Sequence, residues 1–273
     1  MSISNIHDIL AIDVHAHYGD FRNSHDPLVN CFRSADMETV AARAAESNTE
    51  FTIVSPLQAL VPRGNNDPEG GNNDAAVNVP NIPSLRFWVV IDPLRHSTYA
   101  QAAAMLKQPA CVGIKIHPEE HIYPIAEHGR ALFEFAQEHD AVILTHSGEQ
   151  NSLPGDFVPF ADDFPTVKLI LAHLGCGYDG DPSHQVRAIQ QARGDNLFVD
   201  TSSAQSIMPH LIEWAVEKIG PQKILYGTDT PLYHVPMQRV RIDKADISDD
   251  AKRLILRENA LSLLPLYQKV STQ

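Results

Sequence analysis

Eight short runs rich in Ile, Val and Leu recur along the chain, each separated from the next by a stretch of more helical character. That alternation constrains the fold more than any other feature. The runs cover residues 11–17, 50–56, 85–92, 111–118, 141–148, 167–175, 196–203 and 223–231. Each has the length and composition of a strand buried on both faces of a parallel sheet. Helices are expected over 34–47, 97–107, 125–139, 183–192, 206–219 and 248–264, several opening on a Ser that can cap the first turn. The stretches after the second and fifth runs are weaker helix candidates. Eight strand–helix units in 273 residues match a (β/α)8 TIM barrel. A doubly wound open sheet usually carries a Gly-rich phosphate turn after its first strand, and no G-x-G-x-x-G occurs here. With no linker and no further repeat, residues 1–273 read as one barrel domain. Residues 62–83, dense in Asn, Gly, Asp and Pro, read as a long loop after the second strand. It would leave the C-terminal mouth of the barrel, as a lid or as a solvated insertion.

The histidines decide the chemistry. Strand alternation in Asp13-Val14-His15-Ala16-His17 places Asp13, His15 and His17 on one face and Ile12, Val14 and Ala16 on the other. An H-x-H pair is weak alone. However, His146 ends the fifth run, His173 the sixth and Asp229 the eighth. In a parallel barrel all these ends meet at one mouth, so five side chains from four strands converge. Imidazole and carboxylate together suit Zn²⁺ and similar first-row divalent ions.

Composition excludes other partners. Lys and Arg number 21 against 34 Asp and Glu, a net charge of −13, which argues against a nucleic-acid binder and against anionic membranes. No run of about 18 apolar residues is present, and the first ten residues lack a basic segment leading an apolar one, so no secretory signal is visible. Cys31, Cys111 and Cys176 form no C-x-x-C pair and read as reduced, buried thiols of a cytoplasmic protein. A small-molecule substrate is the expected partner, with homo-oligomerisation left open.

The ordered set Asp13-x-His15-x-His17, Gly113-Ile114-Lys115-Ile116-His117-Pro118, Thr145-His146-Ser147-Gly148, Ala172-His173-Leu174-Gly175 and Gly227-Thr228-Asp229-Thr230-Pro231 resembles the amidohydrolase superfamily. More narrowly it is similar to the amidohydrolase-2 branch, which includes aminocarboxymuconate-semialdehyde decarboxylase. The tail at 254–264, with Asn259-Ala260, is similar to that branch's closing helix. The resemblance implies that His15, His17, His146 and Asp229 bind the metal, zinc first and manganese or another first-row ion next. It implies His173 beside the metal-held water as an acid–base group. A divalent ion brings the pKa of its water towards 7, and His exchanges protons near that pH. Either Asp229 or His173 would take the nucleophile's proton.

Lys115 and His117 share a face of the fourth strand. Three roles stay open for Lys115: a carbamylated bridge between two ions, a group ordering an anionic substrate, or a core Lys paired with a carboxylate. His117 divides similarly. Arg22, on the first loop, is a candidate partner for a substrate carboxylate, and His234 a candidate pocket-lining residue. Asp200 and Ser202 end the seventh strand, where they would orient a neighbouring His or cap the strand; Glu119 and Glu120 read as solvated rim charges. The first functional expectation is a metal-dependent hydrolase that uses metal-held hydroxide on an amide, lactone or ester. The alternative is a non-oxidative decarboxylase of an unsaturated or aromatic acid. A third is a barrel that binds a small molecule or metal without turnover; no G-x-S-x-G elbow supports a serine hydrolase.

Overall fold

A computed structural model describes residues 6–267. Eight parallel strands stand in sequence order in one sheet: β1 (Ala11–Tyr18), β2 (Thr49–Pro56), β3 (Leu85–Val90), β4 (Cys111–Ile116), β5 (Ile143–Thr145), β6 (Leu169–Leu171), β7 (Leu197–Asp200) and β8 (Ile224–Leu225). The helices are α1 (Pro27–Phe32), α2 (Met37–Glu46), α3 (Pro68–Asn78), α4 (Ser97–Met105), α5 (Ile125–Glu138), α6 (Pro154–Asp163), α7 (His184–Gln191), α8 (Leu211–Ile219), α9 (Val235–Asp243), α10 (Asp249–Arg253) and α11 (Asn259–Leu263). β8 returns to β1 through Val14 N donating to Tyr226 O at 2.9 Å and His17 N donating to Thr230 O at 2.6 Å, so the sheet closes into a (β/α)8 barrel.

The eight strand positions agree with the periodicity, although the last four strands are shorter because their ends turn out of the ladder to carry side chains to the mouth. Ile53, Trp88, Leu144, Ile170, Phe198 and Leu225, one from each of six strands, pack together inside the barrel with Ile12 and Val14. Ala260, Leu264 and Leu266 join this cluster from the chain's last described segment. Outside the sheet, α5 buries Ile125, Gly129, Leu132, Phe133 and Ala136, the i, i+4, i+7, i+8 spacing of a helix laid on a sheet. No helix among the described residues is long and apolar enough to cross a membrane.

Three sequence readings need correction. Residues 62–83 are not one long loop: Pro68–Asn78 is helix α3, with Asp67 accepting from Gly70 N at 3.0 Å and Pro68 opening the first turn. Tertiary contacts override the poor helix formers there. Asn72 is fully buried, donating to Val90 O and accepting from Val90 N, both at 2.8 Å. A Cβ on Gly71 would meet Ala59 N at 2.8 Å, so that glycine permits the close approach. Next, pairing of Asp13 with Thr52 but Ala16 with Val54 leaves an extra residue on β1. This bulge breaks the simple alternation: Ile12 and Val14 join the interior cluster, and His15 and His17 face the mouth. Finally, of the three thiols only Cys111 is buried; Cys31 is exposed and Cys176 half-buried.

Candidate metal centre at the barrel mouth

Five strands and the segments that follow them deliver the site. His15 and His17 come from β1, Lys115 and His117 from β4 and its extension, His146 from after β5, His173 from after β6, and Asp229 from after β8. His173 and Asp229 both have left-handed backbones, φ 72° and 57°. Non-glycine residues rarely adopt that region, and its occurrence at two such positions marks a site whose geometry outweighs local strain.

Each imidazole of β1 is oriented through its Nδ1. His15 Nδ1 donates to Asp200 Oδ2 at 2.9 Å, and His17 Nδ1 donates to Ser55 O at 3.1 Å. That leaves each neutral ring with an Nε2 lone pair directed into the site. His17 Nε2 lies 3.0 Å from Asp229 Oδ1, and His15 Nε2 3.5 Å from the same oxygen. A lone pair facing a carboxylate is repulsive unless a proton or a metal cation lies between them. Donor atoms bound roughly 2.1 Å from one ion at tetrahedral angles stand roughly 3.4 Å apart, so the separations and the donor set both fit a first-row divalent ion. Asp229 carries the negative charge such a ligand needs. Burial pushes its carboxyl up, but the His17 contact and the nearby imidazoles outweigh that and hold it at about 2.

Lys115 lies beneath this trio. It is fully buried, and its Nζ donates to His15 Nε2 at 2.9 Å, so ammonium and metal would compete for one lone pair. Burial lowers Lys115 to about 8, and burial together with that neighbouring ammonium lowers His15 to about 3. Among the described residues no carboxylate lies within ion-pair distance of Lys115, which removes the reading of a core lysine paired with an acid.

Asp200 organises the other half. Its carboxylate accepts from His15 Nδ1, from His173 N at 3.0 Å, from Ser202 N at 2.9 Å and from Ser202 Oγ. Burial pushes Asp200 up, but His15 and those donors hold it below the usual carboxylate range. His15, His173 and Asp200 are a second buried group able to surround an ion. His173 Nδ1 donates to Ser202 O at 2.8 Å, and its Nε2 lies 3.0 Å from His146 Nδ1. His146 is thus turned with Nδ1 inward, while its Nε2 meets Glu149 Oε2 at 2.6 Å. It stands apart from the His15–His17–Asp229 trio and in contact with His173. Burial lowers His173, and burial followed by the charge of His146 lowers His117, whose ring stacks on His146 at 4.2 Å.

These groups open into a cavity of about 300 Å³ walled by Phe21, Leu57, Leu60, Val61 and Leu232. Two expected residues do not reach it. Arg22 is exposed and paired with Asp20 at 2.7 Å, because the first loop turns it away. His234 is exposed just before α9, and Tyr233 lines the cavity instead. Glu119 and Glu120 are buried rather than solvated: Glu119 accepts from Asn151 N and Nδ2, and Glu120 pairs with Arg63 at 3.2 Å and accepts from Asn23. Glu149, three residues after His146, is the functional neighbour that pattern reading passed over, although the H-x-x-E spacing was visible. Arg33, which also lines the cavity, carried no local signal separating it from Arg22.

Solved structures share this architecture. The chain superposes on 5-carboxyvanillate decarboxylase from Sphingomonas paucimobilis with TM-score 0.69 and 14% identity, covering 93% of this chain and 98% of that one. It superposes on a 2,6-dihydroxybenzoate decarboxylase complexed with 2,6-dihydroxybenzoate with TM-score 0.71 and 13% identity, covering 93% and 98%. For a 5-carboxyvanillate decarboxylase from Novosphingobium aromaticivorans, complexed with manganese and 4-hydroxy-3-methoxy-5-nitrobenzoic acid, the values are 0.66, 12%, 93% and 95%. At such identities the likeness is one of fold. No curated protein matches the sequence. Residues 12–266 match the amidohydrolase family, and with the barrel and its mouth in view the chain belongs to the amidohydrolase-2 branch of that superfamily.

Proposed function

We propose that this enzyme is a metal-dependent, non-oxidative decarboxylase of a small unsaturated or aromatic carboxylic acid. The observation that carries the reading is the pairing of a cation-demanding floor, His15, His17 and Asp229, with apolar walls from Phe21, Leu57, Leu60, Val61 and Leu232 in a cavity of about 300 Å³. That volume is at the small end for ligand pockets and suits one ring. The superposable barrels that act on hydroxybenzoates, one of them with manganese, favour the same chemistry.

His15, His17 and Asp229 would hold a divalent ion, which would supply Lewis acidity towards the substrate's oxygens. The walls hold the ring and keep water from the scissile bond. The bond between carboxylate and ring carbon breaks, CO2 departs, and the electron pair left on carbon takes the Nε2 proton of His173 in its imidazolium form, whose Nδ1–H stays donated to Ser202 O and which a proton from solvent restores. One carboxylate and one proton enter; CO2 and a C–H bond result. Hydrolysis is the second reading. It draws on Asp229, whose contacts to His15 and His17 both run through Oδ1, leaving Oδ2 to take a proton from water.

The test supplies protein reconstituted with zinc or manganese with hydroxybenzoates, 5-carboxyvanillate and a lactone panel. Released CO2 and product spectra are followed. CO2 from an aromatic acid, lost in His173→Asn at unchanged metal content, is expected. Lactone turnover with no CO2 from any acid would refute the lyase reading.

A further inference from the structure

The cations near the cavity are not equivalent. Lys115 is committed to His15 at the floor, and Arg63 is matched by Glu120 at 3.2 Å and Glu149 at 3.6 Å. Arg22 pairs with Asp20 outside the cavity. Arg33, immediately after α1, lines the same cavity as His15, His17 and Asp229, yet among the described residues no carboxylate lies within ion-pair distance of it. The ring it lies against is apolar: the guanidinium lies 5.3 Å from the centroid of the Phe21 ring, which itself walls the cavity. A guanidinium held against an aromatic ring keeps its charge and its fork of N–H donors for another ligand. The acids of the mouth offer it no internal match, since Glu120 is met by Arg63 and Asn23, and Glu149 by His146 and Arg63.

We infer that Arg33 is a specificity-determining residue that pairs with an anionic group on the substrate remote from the reacting carboxylate, so that the substrate is a small acid with a second anionic substituent, a dicarboxylate being the simplest form. The inference rests on the proposed function, in which the cavity binds a small acid. A planar carboxylate meets the guanidinium fork through two parallel N–H···O bonds, which fixes the orientation of the ring as well as its affinity. The apolar walls then hold the body of the molecule between Arg33 and the floor.

The experiment compares benzoate with benzene-1,3- and benzene-1,4-dicarboxylate by isothermal titration calorimetry on the manganese-loaded protein. At least one diacid is expected to bind ten-fold or more tightly than benzoate. Arg33→Gln should erase that preference while leaving benzoate within two-fold, and Arg33→Lys should keep part of it, since charge survives and the fork does not. Manganese content is expected to be equal in all three proteins. A wild-type protein without diacid preference, including one that binds none of the three, or a preference that survives Arg33→Gln, overturns the inference. CO2 release is read separately. A diacid preference governed by Arg33 without decarboxylation refutes only the lyase reading, and decarboxylation without the preference refutes only the role of Arg33.

Discussion

Asp200→Asn should weaken metal binding ten- to a hundredfold without unfolding the barrel. The carboxylate is fully buried and divides its work: Oδ1 accepts from His173 N and Ser202 N, and Oδ2 accepts from His15 Nδ1 at 2.9 Å. An asparagine keeps its carbonyl on the two backbone donors and so turns its NH2 towards the Nδ1–H of His15. Donor then meets donor. His15 escapes by moving its proton to Nε2, which is the nitrogen the trio with His17 and Asp229 needs bare. The lost charge-assisted hydrogen bond is worth about 1.5–3 kcal/mol, which agrees with the roughly 10–100-fold effect usual for partners that orient a metal-bound imidazole. Titration of zinc or manganese against a fluorescent chelator reads it directly. Asp13→Asn is the control. Asp13 is equally buried, but it accepts from Thr228 N, Thr228 Oγ1 and His15 N and touches no ring nitrogen. It should lower stability by about 1–3 kcal/mol and change metal affinity by less than about three-fold. An Asp200→Asn protein that binds metal within two-fold of wild type, or an Asp13→Asn protein equally impaired, would refute the tautomer argument.

Two further expectations concern the scaffold. Glu213 lies 2.6 Å from Arg241; burial pushes its carboxyl up, but the Arg241 hydrogen bond outweighs that and holds it at about 2. A depressed carboxyl stabilises the fold above its unfolded value and loses that contribution as it protonates, so urea midpoints should fall as pH drops from about 4.5 towards 2. Glu213→Gln should flatten that limb, and an unchanged limb would assign it to other acids. Gly113→Ala would bring a Cβ to 2.7 Å from the Trp88 ring and against Val142 O, inside a closed barrel. Overpacking of this kind costs about 1–3 kcal/mol, visible as a lower melting temperature; an unchanged melt would mean the interior can yield there.

The eight strands were legible because a buried parallel strand leaves a compact apolar run whatever its partners, and the meeting of His15, His17 and Asp229 was legible because parallel strands bring their ends to one mouth. What was hidden depended on contacts distant in sequence. Helix α3 forms from Gly- and Asn-rich residues because Asn72 is claimed by the Val90 backbone, which no local propensity records. The turn of His146 depends on Glu149, and the roles of Arg22 and Arg33 differ only in where the first loop aims them. Glu119 looked like a surface charge because burial by Asn151 comes from another loop.

His15 and His17 belong to the first strand, and Asp229 follows the last, with the seam hydrogen bonds of Val14 and His17 between them. The ligand trio therefore does not exist in any growing chain that still lacks its eighth strand. On the ribosome, a free ion could be captured by this trio only after Asp229 had emerged and the seam had shut. Capture of an ion by all three groups would therefore follow closure of the barrel. Amide exchange at Val14, His17 and Thr228, compared with and without metal, would read the lock on that seam.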